Sequence, residues 1–383
     1  MVTPPPDDQV RLLVVLERIG GCLSLCSVIA VFIFFALLPR LRTVPNTFLV
    51  FASIANTFSA IAAIIAYDGI RQGQTSPLCQ LQGFLFEMFG QSDAWWSLAI
   101  AINVLSIFFH DAHLHSLRKW GWLYCLVCYG GPFGIALMCL LVTEPGKSLI
   151  YGSAGNWCWI SEDWSALRIY TCYMIVWGCL LTSLIIYATI AVRASRTHDE
   201  PRHEGASHSR QSSFPSSPGM TAFLISATPN RSPSPSVYNP SVHEALDRPP
   251  LDDPLKRAYL RTGVFFTLSV LITWTLTSVH RVHELLYSES PFAFSVVTAI
   301  VVPLQGTMTA AVFFSTSWTT LRDGVADLVV TPTQKRARPA RQGKSVYSMW
   351  RDASPSSNPS SNRRDSWDFL DIGIEDQSAR GVV

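Results

Sequence analysis

The sequence predicts an all-α integral membrane protein, a seven-transmembrane helix bundle with its N-terminus outside. Three observations point to it. Seven apolar runs each approach the roughly 20 residues that a helix needs to cross a hydrocarbon layer of about 30 Å. Hydrophobic residues make up 49 % of the 383-residue chain and charged residues 15 %, too apolar a balance for a soluble domain of this length. Charge, proline and serine gather in 193–258 and 317–383, which leaves 12–192 and 259–316 for the apolar runs. The net charge of +2 gives no bulk field that would draw nucleic acid.

Residues 1–11 form a short, proline-rich extracellular N-terminus carrying Asp7 and Asp8. No basic start precedes a short apolar region, so the pattern is not a secretory signal, and the first span is expected to act as its own insertion signal. Spans one to seven are expected at Leu12–Leu38, Pro45–Tyr67, Cys79–Phe109, Trp120–Val142, Leu167–Val192, Tyr259–Leu285 and Ala293–Ser315. Each must be helical, because an open strand edge cannot satisfy its amides in lipid.

Basic residues set the orientation. With the N-terminus outside, the inner flanks hold Arg40, Arg42, Arg118, Lys119, Arg193, Arg196, Lys256, Arg257 and Arg261. The outer flanks hold Arg11, Arg18, Arg71, Lys147, Arg168 and Arg281. The 193–258 segment is then a disordered cytoplasmic loop, rich in Ser, Pro and His, and 332–383 a disordered cytoplasmic tail. Between span seven and the tail, Trp318, Leu321, Val325 and Leu328 recur at helical spacing, which predicts an amphipathic helix on the inner membrane face over 317–331.

Cys22, Cys26, Cys125, Cys128, Cys139, Cys172 and Cys179 fall inside spans, where a thiol serves as a small apolar filler. Cys79 and Cys158 lie on the oxidising side, and a bridge between them would tie the second outer loop to the top of span three. Cys125 and Cys128 form a CxxC, but no second ligand pair accompanies it, so no metal or cofactor is expected.

Several motifs stand together. Ser76-Pro77-Leu78-Cys79-Gln80 opens span three; Trp120-Gly121-Trp122-Leu123-Tyr124 and Cys128-Tyr129-Gly130-Gly131-Pro132-Phe133 build span four. Tyr151-Gly152-Ser153-Ala154, Trp157-Cys158-Trp159-Ile160-Ser161 and Leu167-Arg168-Ile169 follow. Thr273-Trp274, Arg281, Pro303-Leu304-Gln305-Gly306 and Ser315-Thr316-Ser317-Trp318 complete the set. Together they resemble the slime-mould-type cyclic AMP receptor family in its fungal receptor-like branch, with Trp-Cys-Trp the most specific piece. The resemblance implies a plasma-membrane G-protein-coupled receptor, not an enzyme, that senses an extracellular small molecule and works with a heterotrimeric G protein. The chain departs from the family pattern at Leu276, where a proline is usual, and at Thr309, where an asparagine is common. Without the proline, span six is expected to lack a kink.

Charged and polar residues inside spans need a reason, since each charge costs about 2.5–3.5 kcal/mol on insertion scales. Glu87 and Asp93 lie about 12 Å and about 21 Å along span three from Cys79. Glu87 and Gln91 are expected to floor a pocket, with Arg168 and Arg281 at its rim and Tyr173, Trp274 and His280 as walls. Two arginines suit an anionic, nucleotide-like or nutrient ligand, because guanidinium binds such groups bidentately. Asn56 and Asn103 read as interhelical hydrogen-bonding groups.

On the inner face, Arg118, Lys119, Arg193, Arg196, Lys256, Arg257 and Arg261 form the collar expected to meet a G protein, and His110, His113 and His115 read as a solvated loop. Ser217, Ser232, Ser234 and Ser354 precede prolines, and Ser366 follows Arg363-Arg364-Asp365. Phosphate there would add about −1.5 to −2 charge and serve kinases and desensitising regulators. Among competing classes, a retinal pump is excluded, because 293–316 holds no lysine for a Schiff base. A seven-span transporter or channel is the alternative, although no three-span repeat is evident.

Overall fold

A computed structural model describes residues 6–109, 121–199, 254–287 and 291–329. The first helix, α1, spans Asp7–Leu37. It starts five residues before the expected Leu12, inside the segment assigned to the N-terminal extension. Asp7 and Asp8 occupy its first turn behind Pro6, where carboxylates complement the partial positive charge of unpaired amides. Then come α2 (Val44–Ile65), α3 (Asp68–Arg71), α4 (Pro77–Gly90), α5 (Ser92–Phe109) and α6 (Gly121–Leu141). A hairpin of β1 (Tyr151–Ser153) and β2 (Cys158–Ile160) follows, with α7 (Ser165–Arg168), a π-turn at Ile169–Tyr173 and α8 (Met174–Asp199). The chain resumes with α9 (Pro254–Tyr287), α10 (Phe292–Val301), α11 (Gln305–Thr316) and α12 (Trp318–Val329).

The fold is a seven-helix membrane bundle. Among the described residues six helical stretches are long and apolar enough to cross a membrane, and α10 with α11 makes the seventh, bent by 45°. The third crossing combines α4 and α5 over Pro77–Phe109. The bend in the seventh lies at Pro303, which lacks an amide proton and disfavours helix in the residue before it. By contrast α9 runs unbroken for 34 residues, as Leu276 in place of a proline led one to expect. Helices α8 and α9 extend into the 193–258 segment at both ends, reaching Asp199 and starting at Pro254. That corrects the expected loop boundaries; the rest of the segment and the tail lie outside the described residues.

Burial is arranged for a lipid solvent. Ile19, Met138, Leu141, Ile185 and Leu286 point outward, whereas Glu17, Asn56, Gln82, Glu87, Asp93 and Asn103 are buried. Small residues let the spans approach closely. Gly20 faces the Pro303 ring and Gly21 faces Ile64, the close contact that small residues permit between membrane helices. Trp96 is fully buried and stacks on Phe51 with ring centres 5.5 Å apart. At the end opposite the hairpin, Asn46 and Ser317 exchange hydrogen bonds of 2.9 and 3.2 Å, and Arg261 donates to Thr316 O at 2.7 Å. Helix α12 falls within the 317–331 stretch. Gly324 rests on Leu38 and Trp318 is exposed.

Candidate ligand site

The predicted bridge is present: Cys79 and Cys158 are joined, with Cα atoms 5.3 Å apart. Ser76 caps α4 by accepting from Cys79 N at 3.2 Å. The bridge therefore grips β2 at the first turn of the third span. The hairpin pairs Tyr151 with Ile160, Gly152 with Trp159 and Ser153 with Cys158. Its turn closes through Ala154 N donating to Trp157 O at 3.0 Å. Gly155 sits in that turn at φ +98°, a conformation that a side chain would strain.

Side chains from the spans hold the hairpin by its backbone. Gln82 is fully buried; its Nε2 donates to Ala62 O and Ala66 O, and its Oε1 accepts from Cys158 N at 3.0 Å. Gln80 Nε2 donates to Tyr151 O at 2.9 Å. The Tyr151 hydroxyl donates to Ala136 O at 2.9 Å on α6, and burial pushes that phenol well above its usual range. Arg168 Nε donates to Ile160 O at 2.7 Å, and Arg281 Nη2 donates to Ala154 O at 3.1 Å.

Trp159 fills the centre. Its Nε1 donates to Glu87 Oε2 at 2.6 Å. The Arg168 guanidinium lies 5.8 Å over its ring, and Tyr173 meets it edge-on at 6.2 Å. Tyr173 in turn meets Trp274 at 5.8 Å. Gln91 Nε2 donates to Glu87 O at 2.8 Å, from the turn where α4 gives way to α5. So Glu87, Gln91, Arg168, Tyr173, Trp274 and Arg281 do gather at one end of the bundle, beneath or against the hairpin.

Three placements differ from expectation. Arg168 is 6 % exposed, a buried residue and not a rim residue, because β2 covers it. Arg281 is tied to Glu284 at 2.6 Å as well as to the hairpin. His280 turns toward span seven, with Nδ1 2.9 Å from Thr298 Oγ1 and its ring stacked on Phe294. Of the two asparagines, Asn56 does bridge spans, donating to Asp93 Oδ1 and Thr309 Oγ1 at 3.2 Å each. Asn103 donates within its own helix, to Ala99 O at 2.7 Å.

At the opposite end, the Arg193 guanidinium lies 4.6 Å over the Phe109 ring and Lys256 Nζ 6.0 Å over Phe108. Arg257 also belongs to α9. Arg118, Lys119, the three histidines of the 110–115 run and Ser217, Ser232, Ser234, Ser354 and Ser366 lie outside the described residues, and Arg196 is described only as part of α8. Among the described residues no group of three or more His, Cys, Asp or Glu side chains could hold a metal ion.

The sequence reading missed the hairpin, Gln82 and Glu17. Glu17 is fully buried in α1 with both carboxylate oxygens unbonded; a carboxylate within the first apolar run was the available signal.

Residues 6–205 match the family model described as slime mold cyclic AMP receptor, more than half of the chain. The chain belongs to the slime mold cyclic AMP receptor family. The match covers spans one to five with the hairpin and does not reach α9–α12. Among relatives, cyclic AMP receptor-like protein A of Dictyostelium discoideum is 24 % identical over 49 % of this chain and 47 % of its own length. Human G-protein coupled receptor 157 is 26 % identical over 51 % of this chain and 59 % of its own. An ascaroside receptor of Arthrobotrys oligospora is 25 % identical over 32 % of this chain and 29 % of its own. The chain thus spans about half the length of the first two relatives or a little more, and less of the third.

Proposed function

We infer that the protein is a G-protein-coupled receptor for an extracellular small molecule, with its N-terminus and hairpin outside and α12 on the inner membrane face. The names of the relatives support the receptor reading, and no finding favours a transporter. The plasma membrane is the compartment in which such a receptor meets its ligand and its G protein. The single observation that carries the site assignment is Trp159 inserted from the hairpin onto Glu87, at 2.6 Å, among side chains from spans three, five and six. A ligand entering from outside trades places with, or closes under, that indole. Arg168 and Arg281 lie beside it and suit a ligand bearing a carboxylate or phosphate.

Activation is a shift between two bundle states, which a ligand achieves only by binding one of them more tightly. The collar of Arg118, Lys119, Arg193, Arg196, Lys256, Arg257 and Arg261 then meets the G protein. Phosphorylation at Ser217, Ser232, Ser234, Ser354 or Ser366 serves to end the signal. The deciding experiment is a screen of anionic small molecules on purified protein in nanodiscs, read by nucleotide exchange on G-protein α subunits. A hit whose dose–response shifts roughly tenfold in Arg168→Met or Glu87→Gln, with expression intact, supports the site. Solute flux into proteoliposomes with no exchange on any α subunit would replace the receptor with a carrier.

A further inference from the structure

We propose, on the basis of the receptor reading, that Glu284 makes the site beneath the hairpin selective for a ligand carrying a single negative charge. Arg168 is 6 % exposed. Its Nε is used by Ile160 O, while its Nη2 makes no hydrogen bond. No ion pair joins it to a carboxylate among the described residues. A guanidinium stays charged in a protein. An unmatched donor and an unmatched charge therefore stand together in a buried place, an arrangement that costs stability until an acceptor arrives.

The neighbouring charges set how much negative charge fits. Arg281 repels Arg168, and Glu284 attracts both arginines. Glu284 is engaged by Arg281 at 2.6 Å, one turn away on α9. Arg281 also donates to Ala154 O at 3.1 Å and meets the Tyr173 hydroxyl, so it is held from three sides. Glu162 acts on Arg168 less than Glu284 does and is exposed, where water screens it. Glu87 is engaged by Trp159 and Thr171, and neither arginine is among the groups acting on it. The cluster of Arg168, Arg281 and Glu284 thus holds two positive charges and one negative.

The Arg168 guanidinium lies over the Trp159 ring, so a head group that takes the place of the indole meets Nη2. One negative charge completes the count. A second would face Glu284 across the same arginines in a low-dielectric interior, where like charges cost most. Carboxylates and phosphodiesters meet this requirement; phosphomonoesters and dicarboxylates do not. Tyr173 and Trp274, packed edge-on at 5.8 Å, present an apolar wall to the remainder of the ligand.

The test is thermal unfolding of the full chain in nanodiscs at about pH 8, where histidines are neutral and phosphomonoesters doubly charged. Trp159→Ala, which clears the space under Arg168, is run beside the wild type. The probes share one ring: phenylacetate, methyl phenyl phosphate, phenyl phosphate and benzyl alcohol. In Trp159→Ala the two monoanions raise the melting temperature by several degrees and saturate, as ligands of the native state do. Phenyl phosphate and benzyl alcohol need at least roughly tenfold more. Adding Glu284→Gln leaves two positive charges unmatched and lowers the phenyl phosphate midpoint roughly tenfold. Equal midpoints for the monoanions and the dianion overturn the proposal, as does an unmoved ratio in Glu284→Gln or no response to either monoanion. If either variant does not fold, the ratio in the wild type decides alone. Selective binding with no nucleotide exchange on any α subunit would remove the receptor and keep the selectivity. Exchange driven by a dianion would keep the receptor and remove the selectivity.

Discussion

Trp159 and Glu87, 72 residues apart, meet through an indole N–H that donates to a carboxylate oxygen at 2.6 Å. Trp159 lies on a three-residue strand, Glu87 on the last turn of α4, and both are buried. The contact joins the hairpin to the bundle interior, while the Cys79–Cys158 bridge joins it to the helix end above.

Replacing Trp159 with Phe keeps an aromatic filler and removes the donor. Glu87 Oε2 is then left buried without the indole, a loss of about 1–3 kcal/mol. Chemical or thermal unfolding in nanodiscs should show it. Adding Glu87→Gln should recover part of the loss, and strict additivity of the two changes would mean that the pair is not energetically coupled.

The disulfide closes a separation of 79 residues, and its removal should cost roughly 2–4 kcal/mol. Cys79→Ser with Cys158→Ser should lower the melting temperature and surface expression together. Reductant should have the same effect on the wild type and none on the double variant, since the span thiols are unpaired. An equal response to reductant in both proteins would shift the stabilising role elsewhere.

Two glycines in α4 and α6 should behave oppositely. A Cβ on Gly83 would stand 2.8 Å from ring carbons of Tyr151, a rigid plate already fixed by its hydroxyl. Gly83→Ala should destabilise by about 1–3 kcal/mol. A Cβ on Gly134 meets nothing within 4 Å, so Gly134→Ala should be neutral or stabilising by up to about 1 kcal/mol. Melting curves of the two variants side by side provide the check.

Arg261 holds the inner end of α9 to the last turn of α11 through Thr316 O. On the receptor reading, Arg261→Ala loosens that end and raises ligand-free nucleotide exchange several-fold. Basal exchange at the wild-type rate, with the variant folded and G protein present, would remove Arg261 as a restraint on the resting state.

The spans were legible because each is a long apolar run, and the signal of length survives without any knowledge of packing. The bridge was legible because Cys79, at the outer end of span three, and Cys158, in the loop after span four, alone faced the oxidising side. The hairpin was not, since three-residue strands carry too little alternation to register; only Gly152 and Gly155 marked it. The start of α1 was hidden by reading Pro4, Pro5 and Pro6 as an extension, when Pro6 followed by two aspartates is an N-terminal signal. Arg168 was placed at a rim because sequence distance to the interface gives depth, not cover; the cover comes from β2 folding back over it. Span membership did bring Glu87, Gln91, Arg168, Tyr173, Trp274 and Arg281 to one end, but no spacing rule could say that Trp159 would sit among them.

Since Trp159 belongs to the same chain as the carboxylate it occupies, it competes as a tethered group. Its effective concentration is of millimolar order or above, as for short intramolecular connections. A soluble compound must outbid that local population before it registers, so weak fragments will look silent on the wild type. Screening on Trp159→Ala, where the competitor is gone, should reveal binders that the intact chain masks.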